Sequence, residues 1–140
     1  MSEAMTARGP ERVLFLCTAN SARSQMAEGL LRHLSQGRMA AFSAGSHPGR
    51  LRAEAVQVMA ELGVDIRGQW SKSIQDLADR DFDLVVTVCD QAAKTCPRFP
   101  GQVRHLHWSI PDPMTLDDFR SARDQLQVRI EDLLRQRAAD

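Results

Sequence analysis

Short, continuous apolar runs alternate along this chain with stretches whose apolar residues recur every three or four positions. Val13-Leu14-Phe15-Leu16 is an unbroken run, the pattern of a strand buried on both faces of a parallel sheet. From Ala22 to Leu34, Met26, Leu30 and Leu34 fall on one helical face, and Gly37 follows as a stop. Ala40-Ala41-Phe42-Ser43 reads as a second short strand closed by Ala44-Gly45, and His47-Pro48-Gly49 as a turn. A second helix is predicted over 52–62 from Ala55, Val58, Met59 and Leu62, with Gly63 at its end. A short helical segment over 74–78 precedes a third strand, Leu84-Val85-Val86-Thr87-Val88. Cys89 to Gly101 holds two prolines and no clean period, which predicts a long functional loop. Val103 to His107 alternates as a fourth strand, and a last helix over 116–137 turns Leu126, Ile130, Leu133 and Leu134 inward.

Strand–helix alternation of this kind predicts an α/β fold: one domain, an open parallel four-stranded sheet with helices on both faces. Residues 1–10, polar and ended by Gly9-Pro10, are expected to form a flexible tail, and 11–140 the domain. In such sheets ligands bind beyond the carboxyl ends of the strands. Cys17, Cys89 and Asp112 each follow a predicted strand at that edge.

Composition narrows the partners. The 140 residues carry a formal net charge of zero, and no basic stretch is interleaved with aromatics, so no nucleic-acid partner is expected. No apolar run reaches membrane-spanning length and the first residues lack a signal-peptide pattern, which points to a cytoplasmic protein. There, cysteines seldom form structural disulfides, so Cys17, Cys89 and Cys96 ask for a chemical role.

The clearest chemistry lies in Cys17-Thr18-Ala19-Asn20-Ser21-Ala22-Arg23-Ser24, a Cys-x5-Arg loop between a strand and a helix. The spacing alone is common; the strand before it, the helix after it and the small residues inside make it specific. Such a loop aims backbone N–H groups and the helix dipole at a bound anion. Arg23 adds a planar fork of donors matched to a tetrahedral oxyanion. The same field favours the thiolate of Cys17, helped by the hydroxyls of Ser21 and Ser24. The competing reading is a buried cysteine ending a core strand.

Cys89 and Cys96 lie seven positions apart after the third strand. If strands one and three are neighbours, their ends lie about 4.8 Å apart, within reach of a Cys17–Cys89 disulfide. Cys96 reaches Cys89 only if the intervening segment bends. A zinc site from Cys89, Cys96 and His105 or His107 is a rival reading, weakened by the wide Cys–Cys gap, and no metal is expected. Both thiols could also be inert. Asp112, stiffened between Pro111 and Pro113, could donate a proton to a departing oxygen, although an aspartate between prolines is ordinary turn chemistry. His33 and His47 are expected in solvent, and Trp70 and Trp108 either line the site or pack beneath it.

Taken together, the Cys17–Gly29 stretch, Thr87-Val88-Cys89-Asp90 with Cys96-Pro97, and Asp112-Pro113 resemble the thioredoxin-coupled arsenate reductases built on the low-molecular-weight tyrosine phosphatase fold. The resemblance covers about Val13 to Leu134. It implies that Thr18, Ala19, Asn20, Ser21, Ala22, Arg23 and Ser24 hold arsenate, with phosphate and sulfate as competing oxyanions. It implies that Cys17 attacks, that Asn20 and Ser24 shape the loop and stabilise the Cys17 thiolate, and that Asp112 protonates the leaving hydroxide. Cys89 would then release arsenite by forming a Cys17–Cys89 disulfide, and Cys96 would carry the oxidation to a Cys89–Cys96 disulfide for thioredoxin to reduce. No bound cofactor is implied, thioredoxin is the electron donor, and a monomer is expected.

Two departures stand out. Some relatives carry a further cysteine where this chain has Ala22. Some bind potassium through residues matching Asn20, Glu28 and Ser43, but their aspartate ligand is Lys72 here, whose ammonium is expected to take the cation's place beside Glu28. The nearest rival is a tyrosine phosphatase, which would need neither Cys89 nor Cys96; this chain also has no tyrosine, although phosphatase relatives usually line the cleft with aromatics. A reductase recycled by a low-molecular-weight thiol and a non-catalytic oxyanion sensor complete the set of rivals.

Overall fold

A computed structural model describes residues 9–139. Apart from Gly9 and Pro10, the predicted tail over 1–10 lies outside the described residues. Four parallel strands form one sheet in the order β2-β1-β3-β4: β1 Glu11–Cys17, β2 Met39–Gly45, β3 Leu84–Thr87 and β4 Arg104–His107. The helices are α1 Arg23–Ser35, α2 Ala53–Ala60, α3 Ile74–Leu77, α4 Asp90–Thr95 and α5 Leu116–Ala139.

The unbroken apolar run of β1 has its expected cause. β1 is central, paired with β2 on one side and β3 on the other, and Val13, Leu14, Phe15 and Leu16 are wholly buried. Each such side chain contributes roughly 1.5–3 kcal/mol of transfer free energy. Alternate residues serve the two faces. Ser43 of β2 donates to Glu28 of α1, on the face where α1, α2 and α5 pack together. Its neighbour Phe42 points the other way, edge-on to Phe82, which in turn meets Phe99 edge-on. The short α3 and α4 belong to that second face. The chain leaves β1 toward β2 and later returns to the opposite side at β3, so the carboxyl end of β1 is a switch point where a crevice opens.

The segment from Cys89 to Gly101, predicted as a long functional loop, contains the helix α4. Asp90 to Thr95 are mostly helix-tolerant residues, and Pro97 ends the run before a period can show itself. The other boundaries differ from the predictions by at most three residues, as helix and strand ends commonly do.

Candidate active site

Cys17 is the last residue of β1 and is only 4% exposed. The loop that follows is held from outside by its carbonyls. Thr18 O accepts from the His47 N–H, Ala19 O from Gly49 and Ser21 O from Arg52, at 2.8–2.9 Å. Asn20 O accepts from the Ser71 hydroxyl (2.7 Å) and from Gln25 Nε2 (3.0 Å). Because a trans peptide sets its N–H opposite its C=O, four outward carbonyls turn the N–H groups of Ala19, Asn20, Ser21 and Ala22 inward, making an anion-binding nest. The Asn20 N–H reaches Cys17 Sγ at 3.2 Å. Helix α1 opens directly above. Its cap residue, Ala22, supplies no side-chain acceptor and its first turn has no acidic side chain, so nothing from the helix itself competes with an incoming anion.

The thiol is oriented by a second layer. Ser24 Oγ lies 2.8 Å from Cys17 Sγ and accepts from Asn20 Nδ2 at 2.8 Å, which leaves its own hydrogen to donate to sulfur. The Asn20 amide cannot turn over, because its Oδ1 accepts from the Lys72 N–H (2.9 Å) and Gln25 Nε2 (3.1 Å). Asn20 is fully buried and adopts φ 50°, a left-handed conformation that asparagine tolerates better than most residues. Gly45, beside Cys17 in the β1–β2 register, lets the loop close: a Cβ there would lie 2.5 Å from Thr18 O and 2.9 Å from Asn20 N.

These groups line a cavity of about 340 Å³ whose walls include Cys17, Thr18, Ala19, Ser21, Ala22 and Arg23, with Arg52 and Asp112 as its remaining members. The side chains of Asn20 and Ser24 are not part of that lining: both are buried behind the loop and shape it, while the Asn20 N–H faces inward to Cys17 Sγ. Arg23, 15% exposed at its side chain, donates to Ile110 O at 2.8 Å and lies 3.5 Å from Asp112, which is 73% exposed. Arg23 thus ties the Asp112 loop to the cavity. A larger cavity of about 610 Å³ lies elsewhere, over Glu28, Lys72 and Trp70, and contains no cysteine. The chemistry, not the volume, selects the smaller one.

Cys89 follows β3, the neighbour of β1, and is buried. Its sulfur accepts from the Ala92 N–H at 3.4 Å as the N-cap of α4 and lies 3.5 Å from Thr18 Oγ1, next in sequence to Cys17. Cys96 caps the other end of α4 and is half-buried; burial pushes its thiol above the ordinary value. All three cysteines are free thiols. Seven residues of helical rise separate Cys89 from Cys96 by about 10 Å, beyond the Cα separation of roughly 7 Å that a disulfide tolerates. Their bond requires α4 to unwind.

Among the described residues, no group of three or more potential ligands is gathered for a metal. His107 is taken up otherwise: Nε2 lies 2.9 Å from Asp90 Oδ1 and Nδ1 2.8 Å from Thr87 Oγ1. His33 and His47 are exposed. Neither tryptophan lines the cavity: Trp108 is buried against Phe15, while Trp70 is 66% exposed with the Lys72 ammonium 4.9 Å from its ring centroid. That ammonium also donates to Trp70 O at 2.6 Å and lies 3.5 Å from Glu28 Oε1. The Lys72 ammonium therefore stands beside the Glu28 carboxylate, where the family resemblance places a cation.

Two residues of the cavity escape a reading of the sequence. Arg52 is remote from the loop in the chain and lies at the start of a helix, where nothing marks it. Gly45 acts through the side chain it lacks, and only a strand ending in Gly beside the loop hints at it.

A thiol at the end of a central parallel strand, inside a nest of N–H groups that opens a helix, defines the class of α/β proteins that hold an oxyanion and attack it with sulfur. More narrowly, the chain belongs to the family described as low molecular weight phosphotyrosine protein phosphatase, which matches residues 12–140. It is 36% identical over 126 residues to the glutaredoxin arsenate reductase of Synechocystis sp., covering 89% of this chain and 96% of that protein. Among solved structures it resembles an arsenate reductase in the phosphate-binding state, with a TM-score of 0.82, 35% identity and coverage of 90% and 98% of the two chains. It also resembles a thioredoxin-dependent arsenate reductase of Corynebacterium glutamicum, with a TM-score of 0.79, 28% identity and coverage of 96% of this chain and 65% of that one.

Proposed function

We propose that this protein reduces arsenate to arsenite through Cys17, Cys89 and Cys96, with thioredoxin as the final electron donor. The observation that carries the reading is a second buried thiol, Cys89, against the residue that follows the nucleophile. Hydrolysis of a phosphoester has no use for it.

Arsenate enters the cavity with its oxygens toward the inward N–H groups and Arg23. The Cys17 thiolate forms a sulfur–arsenic bond while one oxygen departs, protonated by Asp112 at the rim. The Cys89 thiolate then attacks Cys17 Sγ. A sulfur–sulfur bond forms, the sulfur–arsenic bond breaks, and its electron pair stays on arsenic, which leaves as arsenite. Cys96 attacks Cys89, freeing Cys17 as thiolate, and thioredoxin dithiol reduces the resulting Cys89–Cys96 disulfide. Two electrons pass from thioredoxin to arsenic, and no bound cofactor is required. The protein acts as a monomer in this scheme, since each named group comes from one chain. Among the described residues no helix is long and apolar enough to cross a membrane, in keeping with a cytoplasmic enzyme.

The Synechocystis relative, named for glutaredoxin, supplies a second reading of the donor. Both are tested by arsenate-dependent NADPH consumption, with thioredoxin and its reductase or with glutathione, glutaredoxin and glutathione reductase. Turnover with thioredoxin in the wild type, lost in Cys89→Ser and Cys96→Ser, is expected. Turnover only with glutaredoxin would replace the donor. Turnover in neither, alongside efficient aryl phosphate hydrolysis, would make the protein a phosphatase.

A further inference from the structure

We propose that Arg52 is the second guanidinium of the oxyanion cavity and that its place at the rim selects free tetrahedral oxyanions over esters bearing an organic group. The inference deepens the reading above and rests on oxyanion binding at the Cys17 loop.

Arg52 occupies the N-cap of α2, with extended backbone angles and no side-chain cap bond. Asparagine, aspartate, serine and threonine are the residues that satisfy this position, because a short acceptor reaches the free N–H groups. Arginine cannot, and its one bond within the helix start is an exposed pair with Glu54, which contributes little. A residue that breaks a local rule for so small a local benefit points to a function.

The delivery of this side chain is rigid. The Arg52 N–H donates to Ser21 O of the anion loop at 2.8 Å, so helix α2 starts from the loop itself. The guanidinium carbon sits 5.2 Å from the ring centroid of Phe119, a fully buried residue of α5 that supplies a fixed aromatic platform. Its acidic neighbour, Glu54, lies 3.2 Å away with 39% of its side chain exposed. In that setting solvent screens the pair, and Arg52 keeps much of its charge for the cavity.

The chemistry needs that charge. A thiolate must approach an oxyanion that is itself negative, and Arg23 is already shared with Ile110 O and Asp112. A second cation offsets the repulsion. Its position decides what it favours. Cys17 is at the floor, 4% exposed, whereas the Arg52 side chain is 45% exposed and stands at the rim. A free oxyanion turns its outermost oxygen to that rim and accepts from Arg52. In an ester the corresponding oxygen carries the organic group, which must pass out through the space that Arg52 occupies.

The test pairs Arg52→Asn with Arg52→Lys. Asparagine supplies the missing cap, so a purely structural role for Arg52 predicts a variant at least as stable and equally active. The proposal predicts an unchanged or higher melting temperature together with a roughly tenfold rise in both the arsenate KM and the inhibition constant of inorganic phosphate, the cost of one charged contact. The kcat for arsenate should hold within about twofold and aryl phosphate kcat/KM within about threefold, so the preference for arsenate over ester falls. Arg52→Lys keeps the charge without the fork and should recover part of the loss. Should the asparagine variant fail to fold, the lysine variant must still weaken phosphate binding by about threefold. Phosphate titration by calorimetry tests the proposal even if neither donor supports arsenate turnover. Phosphate affinity within twofold of wild type in either variant, an equal fall for arsenate and ester, or lost kcat at unchanged KM would each overturn it.

Discussion

The anion loop and the segment from Cys89 to Phe99 both carry thiols at the same sheet edge, yet they are built in opposite ways. Across residues 17–24 each carbonyl from Thr18 to Ser21 is engaged from outside. Asn20 and Ser24 are wholly buried, and their side chains form one connected network that ends on the Cys17 sulfur. In α4, by contrast, only Ala92 is buried. A six-residue helix is far below the length of about 12–15 residues at which isolated helices become even marginal in water. Its ends are held by contacts of different kinds: Asp90 to His107 and Ser109 at one, and buried Phe99 against Phe82 beyond the other. The first region is organised before the substrate arrives. The second has less to lose: unwinding α4 would sacrifice little burial, and the proposed Cys89–Cys96 bond requires it.

The largest effect should come from the rigid region. Cys17→Ser keeps the shape of the cavity and removes the sulfur, so arsenate reduction should fall by a factor on the order of 10⁴ or more, while phosphate still binds. Steady-state turnover and phosphate titration on the same sample check both halves. Residual turnover near the wild-type rate would move the nucleophile elsewhere.

Next is Gly45→Ala. The added Cβ would meet loop backbone at 2.5 Å, so the nest must shift rather than a flexible side chain. A displacement of several tenths of an ångström at such a site should cost activity by about 10²-fold. Far-ultraviolet circular dichroism should remain native, since the sheet itself is untouched. Activity within a few-fold of wild type would show that the loop adapts and is less rigid than the contrast requires.

How much of each region could be read in the chain follows the same division. The strands were legible because burial on both faces leaves unbroken apolar runs such as Val13–Leu16, and the loop because Cys17 and Arg23 fall within one local stretch. Helix α4 was not legible. Its few residues make too little of a period, the prolines beyond it speak for a loop, and it is stabilised by Asp90 meeting His107, 17 positions away. That Asn20 and Ser24 shape the loop behind Cys17 came from the family resemblance, since sequence adjacency alone cannot separate the lining of a loop from its backing. Arg52 and Gly45 reach the site only through tertiary structure.

The α4 segment should show itself in pH dependence. Burial holds the Cys96 thiol above its ordinary value, so folding favours the protonated form. That preference is fully present below the ordinary thiol range and is lost as pH rises through the raised value. Below that range the preference is intact, so rising pH acts by supplying the thiolate that must attack Cys89. Transfer of the disulfide from Cys17–Cys89 to Cys89–Cys96 should accelerate by up to about tenfold per pH unit between pH 6 and 8. Rapid alkylation and mass spectrometry of single-turnover samples follow it directly. A flat profile would mean that unwinding of α4, not thiolate supply, sets the rate; Asp90→Asn, which weakens the His107 contact, should then be faster than wild type.

The smallest effect is expected behind the rigid loop. Glu28 is buried and accepts from Ser43 and from Arg32, both at 2.6 Å, with the Lys72 ammonium 3.5 Å away. Burial draws the Lys72 amine below its ordinary value, while Glu28 acts to keep it charged. The residue that supplies this ammonium also donates its backbone N–H to Asn20 Oδ1. A cation beside Glu28 and the peptide that orients the loop therefore belong to one residue, its side chain and its own backbone. A free ion bound there would couple loop order to salt composition; a covalently attached one does not. Exchanging sodium for potassium at constant ionic strength should thus leave kcat and KM for arsenate within about twofold, screening being equal for both ions. Lys72→Met should weaken that indifference by leaving half-exposed Arg32 as the one cation of the pair still beside Glu28, so that KM becomes sensitive to the cation supplied. A marked potassium activation of the wild type would place a free cation in the site after all, and with it a loop whose order depends on its surroundings.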